Sequence, residues 1–212
     1  MSFPSLIANA VFFPEWGLWA MPRDGTSTRE RIVAEAGRLF EERGLSQVSL
    51  EDVARSAGIT KRGLLYHFGK KDDLAAACVT AEQHPTLKRI KDWAGGEEAD
   101  LSMEARMERL LSHIGDWIDS GAWSELGFIR FATELGALPN HPARRLAVSG
   151  KKSVELWFAA LLKAEGRDPS DARLLAVLVD GALVQSLVHR DGSYARDAIR
   201  AAKALFRERP VA

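Results

Sequence analysis

From Ser27 onward the apolar residues recur at helical spacing and nowhere alternate one by one. Ile32, Ala36, Leu39 and Phe40 fall at i, i+4, i+7 and i+8, a single stripe along one amphipathic helix. A half-buried strand requires period-two alternation, and no stretch has it. Such a chain builds its core by laying helices on helices, so the expected fold class is all-α.

Capping and breaking residues divide the pattern. Ser27 with Glu30 has the form of a capping box, and Gly44 stands where that helix should stop. Ser49 opens a second helix, short because Gly58 follows so soon, and Thr60 opens a third that runs to Phe68. Gly69 ends it and Lys71 begins a fourth, expected to reach about residue 94 with a break or kink near Pro85, which lacks a backbone donor. Further helices are expected over 102–119, 123–138, 141–165, 170–189 and 194–209, with Ser170 as one cap.

Size and charge bound the function. A chain of 212 residues makes one large domain or two small ones. Its 29 basic and 29 acidic residues cancel, which excludes a uniformly basic nucleic-acid coat and an acidic disordered chain. The single cysteine, Cys78, excludes an internal disulfide framework and points to a reducing, cytoplasmic compartment. No basic cluster flanks it, so it reads as a small buried hydrophobe and not as a redox switch. No segment approaches the ~18 uncharged apolar residues of a membrane span, so no membrane partner is expected. Residues 1–26 are expected to be an extension, disordered or the product of a misplaced start, because Met21-Pro22-Arg23 has the form of a chain start. An apolar arm packed on the body is the alternative.

Two short helices joined at a glycine, the second one basic, form a helix-turn-helix pattern over about 50–69. Leu50, Val53 and Ala54 supply the inner face of the first helix; Leu64, Leu65 and Phe68 are expected to be buried by the second, with Lys61, Arg62 and His67 pointing elsewhere. Between Thr60 and Lys71 stand Lys61, Arg62, Lys70 and Lys71 and no acid, a local concentration suited to phosphate. Gly63 permits close backbone approach and Tyr66 offers a hydroxyl. On charge and spacing alone, a solvated helix hairpin within a bundle remains the competing reading.

The runs Thr28-Arg29-Glu30-Arg31-Ile32 to Phe40-Glu41-Glu42-Arg43-Gly44, Ser49-Leu50-Glu51-Asp52-Val53-Ala54-Arg55-Ser56-Ala57-Gly58-Ile59-Thr60-Lys61 and Leu64-Leu65-Tyr66-His67-Phe68-Gly69-Lys70-Lys71 resemble the N-terminal domain of the TetR family of bacterial transcriptional regulators. The chain departs from that pattern at Arg62-Gly63 and at Leu65, where tyrosine is commoner. The resemblance implies a DNA-binding domain over 27–74 with Thr28, Arg29, Ser49, Thr60, Lys61, Arg62, Gly63, Tyr66, His67 and Lys71 facing an operator duplex. It also implies a larger helical domain over 75–212 that binds a small-molecule effector and pairs two subunits.

In that second region the helix over 170–189 is apolar nearly all round and needs cover on most sides. Leu175, Leu178, Val179, Ala182 and Leu183, with Val154, Trp157, Phe158 and Leu161 of the preceding helix, are the candidate homodimer interface, packed as a four-helix bundle. The same residues as the internal core of a monomer are the alternative. Met103, Met107, His113, Trp117, Trp123, Phe128 and Phe131 are candidates to line a pocket for an apolar or aromatic effector, with Arg106, Asp116, Arg130 or Glu134 as polar anchors. Effector binding is expected to shift the helix ending near Trp93 and so the spacing of the two recognition helices. No catalytic triad, metal-ligand spacing or phosphate-cradling loop occurs, so neither catalytic residues nor a cofactor are assigned. The rival function is a small-molecule-binding protein or enzyme with a vestigial DNA-binding domain.

Overall fold

A computed structural model describes residues 27–96, 100–121 and 134–208. Trp123, Phe128, Phe131, Arg130 and the proposed extension lie outside them. All regular structure among the described residues is helical. The helices are α1 (Thr28–Arg43), α2 (Leu50–Ser56), α3 (Lys61–His67), α4 (Lys71–Trp93), α5 (Met103–Asp119), α6 (Pro142–Ala164), α7 (Ala172–His189) and α8 (Ser193–Glu208).

Local sequence accounts for most of the ends. Ser27 and Glu30 form the capping box of α1, and the Gly44 amide closes its far end on the Phe40 carbonyl. Ser102 caps α5, and the His141 ring accepts from the Ala143 amide with Pro142 in the first turn of α6. Two boundaries differ from expectation. Ser170 does not cap α7: Pro169–Asp171 makes a 3-10 turn capped by Asp168, and α7 starts after Asp171. α4 is not broken at Pro85 but runs through it as one helix.

Two cores hang on that helix. In the first, Ile32, Ala36, Leu39 and Phe40 of α1 meet Val53 and Ala54 of α2, Leu64 of α3, and Leu74, Ala75 and Cys78 of α4. Leu135 and Ala143 also enter it, so the segment before α6 and the first turn of α6 close the N-terminal unit from outside. The second gathers Met107, Leu110, Leu111 and Ile114 of α5, Phe158 and Leu162 of α6, Leu175 of α7 and Phe206 of α8, with Leu87, Ile90 and Trp93 of α4 against it. Each end of α4 is thus held by a different core.

Pro169–His189 is long and apolar enough to cross a bilayer by composition, although it contains Asp171, Arg173 and Asp180. It packs on α6 and α8, and only a third of its most apolar window is buried.

Candidate nucleic-acid interface

The helix-turn-helix is set by three local devices. Ser49 and Asp52 make a reciprocal capping box at the start of α2, each side chain accepting from the other's backbone amide, and donation from the Ser49 hydroxyl and amide holds the Asp52 carboxyl below the usual range. Gly58 turns the chain at φ +66, a left-handed geometry that side chains with a Cβ resist, and Ile59 N donates to Ala54 O at 2.9 Å. Thr60 caps α3 by accepting from Gly63 N at 3.1 Å. The module is then tied to α1. Arg31 Nε donates to Ala57 O at 3.1 Å, and the buried Glu35 carboxylate accepts from Ser56 Oγ and from Arg38.

On α3, Leu64 is fully buried and Phe68, its C-cap, nearly so. Lys61, Arg62, Leu65 and Tyr66 form an exposed strip at i, i+1, i+4 and i+5. Tyr66 is 87% exposed, which frees its hydroxyl for a partner outside the chain, and its ring meets His67 edge-on at 5.4 Å. The expectation that Leu65 is buried is overturned. It is 41% exposed, because one turn of a seven-residue helix can point only Leu64 and Phe68 into the core. Leu65 was missed as a surface residue. The signal was its place beside Tyr66 and four residues after Lys61.

The other expected DNA-facing residues are distributed unevenly. Arg29 is exposed, and its guanidinium lies 4.8 Å from the Phe68 ring centre, which brings the start of α1 beside the end of α3. Thr28 is half-buried. The Ser49 and Thr60 side-chain oxygens are occupied as caps, with Ser49 Oγ also donating to Asp52 at 2.5 Å. Lys61 Nζ stands 3.7 Å from Glu51 Oε2. Lys71 is half-buried; desolvation lowers its pKa, and the charges of Glu134 and Asp72 oppose that. Glu134 accepts from Ser46 N at 2.9 Å, and Asp72 lies 3.4 Å from His141 Nε2. Lys71 therefore sits at an acidic seam where the segment before α6 meets the start of α4. The run of four cations without an acid between Thr60 and Lys71 is tempered in space by carboxylates such as Glu51 and Glu134.

Among the described residues, the candidate effector residues divide between the second core and a surface cluster. Met103 and Met107 are fully buried in the second core, and His113 is exposed. Trp93 stacks on His113 at 6.2 Å and tilts against Trp117 at 6.0 Å, a half-covered aromatic cluster at the α4–α5 contact. Two proposed polar anchors have structural partners instead. Buried Arg106 donates to Leu101 O, Ala94 O and Gly96 O, closing the end of α4, and Asp116 pairs with Arg196. Among the candidate dimer residues, Val154, Phe158, Leu175, Val179 and Ala182 belong to the chain's own core, while Trp157, Leu161, Leu178 and Leu183 are half-buried. The outward apolar residues of α7 are Leu174, Val177, Val184 and Val188, joined by Leu156 and Val148 of α6. With Gly181, the α7 set repeats at 3-4-3-4 spacing, the seam geometry of packed helices.

A compact three-helix unit presenting a short, exposed, basic second helix defines a helix-turn-helix protein. Residues 32–78 match the model of the tetR family of bacterial regulatory proteins. Over 62 residues it is 34% identical to the HTH-type transcriptional regulator SrpR of Pseudomonas putida, 29% of either chain. The uncharacterized HTH-type regulator YxaF of Bacillus subtilis is 27% identical over 77% of this chain and 87% of its own. The chain spans less than half the length of the first curated relatives it matches. Among solved structures, the multidrug binding protein EbrR complexed with ethidium is 25% identical with TM-score 0.62, over 85% of this chain and 99% of that one.

Proposed function

We propose that this protein is a homodimeric transcriptional regulator, a repressor that leaves a palindromic operator when a small planar aromatic effector binds. The exposed strip Lys61, Arg62, Leu65 and Tyr66 carries the reading, since it combines cations, a hydroxyl and an apolar contact on a helix of the size that enters a major groove. The 3-4-3-4 apolar seam of α7 supports pairing through a second copy, with Gly181 allowing close approach. Two-fold pairing would set the recognition helices to half-sites about 34 Å apart. The Trp93, His113 and Trp117 cluster, and the ethidium bound by EbrR, support an aromatic effector acting on the end of α4.

Selection of bound duplexes from a random DNA pool tests this directly. The expected result is enrichment of a two-fold palindrome, with ethidium binding the DNA-free chain and quenching its tryptophan fluorescence, since the dye itself intercalates into duplexes. Absence of enrichment at low salt would favour a small-molecule-binding protein with a vestigial DNA-binding domain.

A further inference from the structure

Glu51 and Lys61 meet across the helix-turn-helix, carboxylate to ammonium at 3.7 Å, each about half exposed. The pair joins the first turn of α2 to the first turn of α3, where Ser49 and Thr60 already supply the caps. An exposed ion pair of this kind contributes little to stability. Its larger effect is on the charge presented to DNA, because the leading end of the exposed strip carries a carboxylate against its first cation. Among the described residues no carboxylate pairs in this way with Arg62, one position further on.

We propose that Glu51 is a specificity-determining residue of the DNA-facing surface, holding Lys61 back from indiscriminate phosphate contact; this rests on the DNA-binding reading above. A lysine that neutralises a phosphate releases condensed counterion, which drives non-specific binding. Lys61 already has a counterion in Glu51, so exchanging it for a phosphate gains little, and the free carboxylate then faces the phosphate backbone. A base edge with two acceptors, such as guanine O6 and N7, offers the ammonium a better exchange. The start of α2 is the positive end of a short helix dipole and accommodates the carboxylate left behind. Lys61 is thereby surrendered at a matching base and withheld elsewhere.

The test compares wild type, E51Q, K61M and the double variant on the selected operator and on a scrambled duplex across a salt series. E51Q is expected to steepen the salt slope on scrambled DNA by about one unit, roughly an eightfold change in affinity per decade of salt. Operator affinity should change less, so the specificity ratio falls, and E51Q should have no effect on the slope in the K61M background. Equal shifts on both duplexes with an unchanged slope overturn the proposal. So does the same steepening in K61M, which would make Glu51 a simple repeller of phosphate. Either failure leaves the DNA-binding reading intact, whereas a wild-type chain that binds no duplex removes both.

Discussion

Leu64 and Leu65 are adjacent, identical in chemistry and opposite in consequence. Leu64 is fully enclosed by the N-terminal core, so Leu64→Ala should cost about 2–5 kcal/mol in a denaturant titration. Leu65 faces outward, so Leu65→Ala should leave stability within about 0.5 kcal/mol. It should instead weaken preference at a thymine-bearing operator position by about 1–3 kcal/mol, through loss of an apolar contact to the base methyl. A Leu65→Ala variant that melts like a core mutant would contradict this assignment. Both leucines were legible as apolar residues of a short helix, but their direction was not, because a seven-residue helix leaves too few turns for periodicity to fix its phase. Cys78 was easier. Its place on the α1-facing side of α4 buries it, and desolvation pushes its thiol well above the ordinary value, as an inert cysteine requires.

Among the elements, α4 departs most from its sequence pattern. Proline argued for a break or a kink, yet the helix runs through Pro85 unbroken, one end in each core. Its far end is closed by Arg106, a side chain ten or more residues away that supplies donors to two terminal carbonyls, at Ala94 and Gly96. Arg106→Met should therefore destabilise the fold by about 2–4 kcal/mol, since it leaves buried carbonyls unsatisfied. Hydrogen exchange should show the loss concentrated at residues 90–96. A uniform loss across both cores would contradict a capping role. No sequence rule identified this arginine as a cap, because its partners lie on another helix.

At the level of the whole molecule, the N-terminal unit is finished by residues from far along the chain. Leu135 and Ala143 complete its core, and Glu134 and His141 reach Ser46 and Asp72. A boundary drawn at residue 74 falls inside a continuous helix. The outward seam of α7 belongs to this scale too. Val177, 66% exposed at its centre, makes no contribution to the chain's own core. Val177→Arg should leave a folded chain that light scattering reports as a monomer, with operator affinity reduced because two half-sites are no longer bound together. A variant that remains dimeric would place the interface elsewhere.

The helical class, the caps at Ser27, Ser49 and Thr60, the turn at Gly58 and the basic character of α3 were all legible in the linear chain. Each depends on residues within a few positions of one another, where capping and backbone preference act. The outward face of Leu65, the pairing of Lys61 with Glu51, the seam around Lys71, and the side of α7 left uncovered were not. They depend on which face of a helix its neighbours occupy, and that is set by packing between segments distant in sequence.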